Sequence, residues 1–129
     1  MKLLVDTHVL LWIANDPQRI AAATRQTMQD ASNELLVSIV SAWEISIKQS
    51  VRKLELPGPA EEWLPEMLDR SGLRAVEPGL AAALRVRTLP WHHRDPFDRL
   101  LIAHAIEDGY TIVSHDRDFA AYNVPLLLA

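Results

Sequence analysis

Apolar and polar positions divide this chain into alternating strand-like and helix-like stretches. Leu3-Leu4-Val5, Glu34 to Ser38 and Tyr110 to Ser114 are short runs dominated by apolar and β-branched residues. In a chain where such runs alternate with helices, they read as strands buried on both faces. Leu73 to Val76 predicts another short strand, and Val124 to Leu128 an edge strand. Between the strands the period changes. Val9 to Ile13 suits a helix, and Arg19 to Ala31 is rich in the helix formers Ala, Gln, Met and Arg. Ile39 to Leu54 carries Val40, Trp43, Ile47, Val51 and Leu54 at steps of three or four, a single apolar stripe. Ala60 to Arg70 and Leu80 to Arg87 predict two more helices. The last helix has clear ends: Asp95 as N-cap, Pro96 at the first helical position, and Gly109 as the stop.

Strands alternating with helices imply an α/β fold, a mostly parallel sheet covered on both faces. Right-handed crossovers bring the carboxyl ends of all strands to one edge, where α/β proteins bind their ligands. Asp6 and Asp116 each stand just past a strand end, and Glu44 and Asp98 each fall in the early turns of a helix starting at that edge. Each acid also has a plainer reading. Asp6 can cap the next helix. Ser41-Ala42-Trp43-Glu44 spells a capping box, and Glu44 with Lys48 makes an i, i+4 surface pair. Asp98 complements the positive end of its helix dipole. What separates the readings is whether the four acids meet.

Bulk properties narrow the class. The 129 residues suffice for one domain with a real core, so 1–129 reads as a single unit. The composition is 49% hydrophobic and 23% charged, ordinary for a soluble domain, and the net charge of −4 does not advertise nucleic-acid binding. An acidic nuclease is compatible with that charge when its site is built from carboxylates. No cysteine is present, which excludes disulfides and thiolate metal sites. Asp6 and His8 interrupt what would be a signal-peptide core, and no apolar run approaches the ~18 residues of a membrane span. A cytoplasmic protein is expected.

Four carboxylates at one edge raise one another's pKa, and a divalent cation resolves the conflict. Oxygen ligands suit Mg²⁺ or Mn²⁺. The chemistry that follows is metal-assisted phosphodiester hydrolysis with a metal-activated water as nucleophile. Thr7 and Ser114 are placed to hydrogen-bond the acids from behind. Lys48, Arg52, Arg94 and Arg99 are candidate contacts to an RNA backbone, with a solvated surface charge as the plainer reading of each. None of the five histidines is assigned as a ligand. His92 and His93 precede the acid-bearing helix within reach of a substrate, and His104 falls on a different helix face from Asp98.

Four segments together resemble the PIN-domain ribonucleases of the VapC type, toxins of toxin–antitoxin pairs. They are Leu4 to His8 with Leu11-Trp12, Ser38 to Lys48 around Trp43-Glu44, His93 to Ala103, and Val113 to Phe119. The resemblance implies a three-layer α/β/α fold around a five-stranded parallel sheet. It also implies a site of Asp6, Glu44, Asp98 and Asp116, and Mg²⁺- or Mn²⁺-dependent endonucleolytic cleavage of RNA leaving 3′-hydroxyl and 5′-phosphate ends. A homodimer and inhibition by a cognate antitoxin are implied as well. Ser114 stands where the family usually has Thr, and His104 where this branch often has Gln. Asp95 and Asp118 are further acids nearby, read as a cap and a flanking residue. Two other classes compete. An aspartyl-phosphate enzyme or receiver domain lacks its second aspartate, because His8 occupies that position, and lacks its lysine after the late strand. A PIN-like interaction module that cuts nothing is the other alternative.

Overall fold

Two buried clusters lie on opposite faces of one sheet, and the first strand feeds both. Leu3 and Val5 enter one cluster, and Leu4, between them, enters the other. This is the two-residue alternation of an extended chain, here with both faces apolar. A computed structural model describes residues 1–129. Its strands are β1 (Lys2–Val5), β2 (Glu34–Ser38), β3 (Leu73–Val76), β4 (Thr111–Ser114) and β5 (Leu126–Leu128). All neighbours are parallel, in the order β3-β2-β1-β4-β5. The helices are α1 (Thr7–Asn15), α2 (Ala22–Gln29), α3 (Ile39–Ser50), α4 (Ala60–Arg70), α5 (Leu80–Arg85) and α6 (Pro96–Asp108). Helices α1 to α4 supply Val9, Leu10, Met28, Ile45, Leu64 and Met67 to one face, and α5 and α6 supply Ala82, Leu101, Ile102 and Ala103 to the other. The result is the expected three-layer α/β/α arrangement with five parallel strands.

Because β1 and β4 are neighbours, Val5 and Val113 lie side by side. The residues that follow them, Asp6 and Ser114, are thereby delivered to one point. α1 begins directly after β1 and α3 directly after β2. Those two helix starts therefore open on the same edge as the strand ends.

Three elements differ from expectation. The 19–31 segment splits into a 3₁₀ turn at Pro17–Arg19 and α2, beginning at Ala22. The Leu80 helix likewise ends at Arg85 and passes into a 3₁₀ turn at Val86–Thr88. α3 stops at Ser50, four residues short of the predicted Leu54. Arg52 takes a left-handed φ of 60°, and the Lys53 N–H bonds back to the Lys48 carbonyl. This is a Schellman-type stop without the usual glycine. The α3 stripe also faces the wrong way. Trp43, Ile47 and Val51 are 59%, 36% and 54% exposed, whereas Val40, Ser41, Glu44 and Ile45 are buried. Ser41 and Glu44 are turned inward by hydrogen bonds to Thr7, and the middle of the apolar stripe, Trp43, Ile47 and Val51, is left on the surface while Val40 and Leu54 stay against the core.

Candidate active site

The four acids stand on four elements, and a small set of hydroxyl and imidazole groups holds them. Asp6 ends β1 and is buried. Its Oδ1 accepts the Val9 N–H at 2.8 Å and so caps α1, while its Oδ2 accepts the hydroxyl of Ser114. The capping reading of Asp6 is thus correct, and one oxygen does it. Thr7, the next residue, donates to Glu44 Oε1 at 2.6 Å and lies 3.0 Å from Ser41 Oγ. The other Glu44 oxygen takes the Lys48 ammonium at 2.5 Å. Since Ser38, not Ser41, caps α3, the capping-box reading fails, and the i, i+4 pair forms inside the site rather than on the surface.

Across the sheet, Ser114 Oγ accepts the Asp116 N–H at 3.0 Å. Asp116 Oδ1 caps the 3₁₀ turn at Arg117–Ala121 through Asp118 N–H, at 2.9 Å. Its Oδ2 meets His93 Nε2 at 3.1 Å, and the same nitrogen stands 3.0 Å from Asp98 Oδ2. Asp98 itself lies in the first turn of α6, which Asp95 caps through the Phe97 and Asp98 N–H groups. Thr7 and Ser114 therefore sit behind the acids.

Burial and mutual repulsion leave the cluster short of positive charge. Desolvation raises the Asp6 carboxyl despite the Ser114 and Val9 hydrogen bonds. Asp98 is pushed up to about 7, first by burial, then by Asp95, with Asp6 and Glu44 adding and His93 opposing. That Asp98 feels Asp6 and Glu44 shows the acids share one field. Lys48 is held more firmly protonated by Glu44, with Asp95 and Asp98 contributing. The chemistry of this donor set fits a hard divalent cation: its candidate ligands are carboxylate oxygens, and burial and neighbouring acids disfavour the charged form of Asp98, which a bound cation would restore.

The candidate RNA-binding cations separate. Lys48 reaches the acids and serves as their internal counter-ion. Arg94 is exposed in the loop before α6. Arg52 lies past the far end of α3, about 12 Å along the axis from Glu44 at the rise of a helix. Arg99 must be corrected. It is 2% exposed, and its guanidinium donates to the carbonyls of Val86, Leu89, Pro90 and His93. Trp91 stacks on it at 3.7 Å. No donor faces a substrate, so Arg99 braces the loop rather than holding RNA. Its apolar neighbours on α6, Leu101 to Ala103, were the sequence signal for that burial.

The histidines were under-read. His93 is part of the acid cluster; its ligand atom and those of Asp98 and Asp116 lie within 4.8 Å of one another. Proximity to the Asp95 cap was the only hint. His104 is fully buried with Nδ1 3.2 Å from the Ser38 hydroxyl and Nε2 3.1 Å from Asp108, which ties α6 to the start of α3. Burial favours its neutral form. His8 and His115 pack edge to face at 5.2 Å, with Trp12 against His115 at 4.8 Å, and offer aromatic faces beside Asp6.

The PIN domain sequence profile matches residues 3–125. The chain belongs to the PIN-domain family. This PIN domain is 31% identical over 122 residues to ribonuclease VapC22 of Mycobacterium tuberculosis, covering 95% of this chain and 92% of that protein. The match places it among the VapC-type ribonucleases. Its fold is that of VapBC2 from Rickettsia felis, solved with a promoter DNA fragment (TM-score 0.75, 17% identity, 99% and 98% of the two chains). DNA-bound VapBC from Salmonella typhimurium is also similar (TM-score 0.68, 16% identity, 98% and 97%).

Proposed function

We propose that this PIN domain, over 1–129, is a Mg²⁺- or Mn²⁺-dependent endoribonuclease in which Asp6, Glu44, Asp98 and Asp116 hold the metal. The observation that carries the reading is the meeting of these four acids from four separate elements: Ser114 links Asp6 to Asp116, His93 stands against Asp116 and Asp98, Thr7 beside Asp6 holds Glu44, and burial with Asp95, Asp6 and Glu44 raises Asp98 to about 7. When bound, the ion supplies Lewis-acid activation of a water and neutralises charge on the phosphodiester. The chain's own residues do the rest. Ser114 and Thr7 hold Asp6 and Glu44 in fixed orientations, and the α1 and α6 caps keep the acid-bearing turns rigid. Lys48 offsets part of the negative field, which lets a phosphate approach. Arg94, exposed in the loop that leads into the Asp98 helix, is available for RNA backbone contact.

The chain acts as the toxin of a toxin–antitoxin pair in the cytoplasm. No helix is long and apolar enough to cross a membrane. Its partners are RNA, a cognate antitoxin and a second copy of itself. The similarity to the solved VapBC structures supports the antitoxin partner. An apolar pit of about 240 Å³ between Trp43, Ala83, Val86 and Phe97 offers apolar side chains a seat.

The test is cleavage of a mixed RNA pool by purified protein with Mg²⁺, Mn²⁺ or EDTA, beside Asp6→Asn. Metal-dependent cutting that falls at least about a hundredfold in Asp6→Asn is expected, on the scale of a lost catalytic electrostatic group. Antitoxin-free protein that neither cuts RNA nor binds Mn²⁺ would make this chain an interaction module instead.

A further inference from the structure

His93 stands among the acids with its ring held by the backbone on one side and facing carboxylates on the other. Its Nδ1 lies 3.2 Å from the Asp95 backbone nitrogen and accepts that N–H. A ring nitrogen that accepts carries no proton, so the proton of the neutral ring is on Nε2. Nε2 donates to Asp116 Oδ2, 3.1 Å away, and stands 3.0 Å from Asp98 Oδ2, within ion-pair distance. The two acids that come from the C-terminal half of the chain thus meet at one ring atom.

Binding a metal through Nε2 would require the proton to move to Nδ1. There it would meet the Asp95 N–H head-on, two donors with no acceptor between them. The ring cannot easily turn away. The His93 N–H donates to Tyr122 Oη at 2.8 Å, and its carbonyl accepts from Arg99 Nη1 at 3.3 Å. Tyr122 Oη in turn donates to the Pro90 carbonyl at 2.8 Å. Phe119 packs against the ring at 5.7 Å.

We infer that His93 is a positioning residue that donates from Nε2 to Asp116 and keeps the neighbouring Asp98 carboxylate turned to the same point, and that it does so without ligating the metal. The inference rests on the nuclease reading above. Asp6 and Glu44 have equivalent supports in Ser114 and Thr7. His93 completes the set for the other two acids. Removing a group that orients metal ligands typically weakens metal affinity ten- to a hundredfold.

The experiment uses the full chain and Mn²⁺ alone, with affinity read by calorimetry and ligand nitrogen by electron spin-echo modulation. His93→Ala is expected to weaken Mn²⁺ binding about ten- to a hundredfold. His93→Gln, whose amide nitrogen falls near Nε2, is expected to recover most of the loss. His93→Asn, whose amide falls near Nδ1, is expected to recover little. A purely structural role would not distinguish these two amides. The wild-type echo is expected to show no directly coordinated nitrogen. Coordinated nitrogen that vanishes in His93→Ala would overturn the inference by making His93 a ligand. Unchanged affinity in His93→Ala, or equal affinity in the Gln and Asn variants, would overturn it too, while leaving the nuclease reading in place. Wild-type protein that binds no Mn²⁺ would remove both.

Discussion

The Asp98 carboxyl is the residue most out of balance with its surroundings. Burial, then Asp95, hold it at about 7 against an ordinary 3.8. The native state therefore keeps a proton that the unfolded chain has released. Stability from this group is fully present below 3.8 and is lost as pH rises through about 7. Metal-free Asp98→Asn should therefore melt at least about 2 °C above wild type at pH 8, with the gap closing at pH 4. Thermal scans in EDTA across that range check it. Metal binding must also displace the proton, so Mn²⁺ affinity should strengthen as pH climbs through about 7. Legibility at this scale was mixed. Asp6 and Asp116 could be placed because a strand end is visible in sequence. Glu44 could not be settled, because cap, pair and site all use the same local spacing. Arg99 was misjudged and the role of His93 left open because their partners, the 86–93 carbonyls and Asp116, are set by tertiary packing.

At the level of elements, α6 and the loop before it work as one unit. Arg99 gathers the loop's carbonyls beneath the first turn of α6 and presents His93 and Asp98 together. Arg99→Ala leaves several buried acceptors without donors and should cost about 3 kcal/mol or more. Arg99→Lys should rescue little, because one ammonium cannot reach both groups of carbonyls that the guanidinium fork spans. Urea unfolding of the two variants measures this. The limits of α6 were legible because Asp95, Pro96 and Gly109 act locally, with Gly109 at the left-handed φ of 73° that ends the helix. α3 was legible in existence but not in rotation. Periodicity located an apolar stripe, but hydrogen bonds from Thr7 chose which face points inward.

The consequence for the whole molecule is an apolar surface. Ile39, Trp43 and Ile47 on α3, Val51 at its C-cap, and Leu80 and Leu84 on α5 are exposed, and Trp43 and Ala83 line the same pit. Contiguous apolar surface of this kind usually marks an interface. Under the homodimer reading, Trp43→Glu should shift the chain from dimer to monomer at micromolar concentration, with Ile47→Glu acting in the same direction. Sedimentation velocity reads the change; a wild-type monomer with the same sedimentation as Trp43→Glu counts against self-association through this face. The sheet order was only partly legible. Parallel pairing followed from the alternation of elements, but the placement of β1 between β2 and β4 depends on which strands each crossover joins, which local pattern does not encode.

That placement has a corollary. Strands β3, β2 and β1 all precede Gly79, and β4 and β5 follow it, so the sheet divides along the single seam between β1 and β4. The acids divide the same way, Asp6 and Glu44 before the exposed Gly79 and Asp98 and Asp116 after it. Severed there, the chain would give two fragments, each with half a sheet and half a reaction centre, inert apart and complete only on reassociation. The topology thus makes this domain a natural candidate for a split enzyme, one whose output reports that two tethered partners have met.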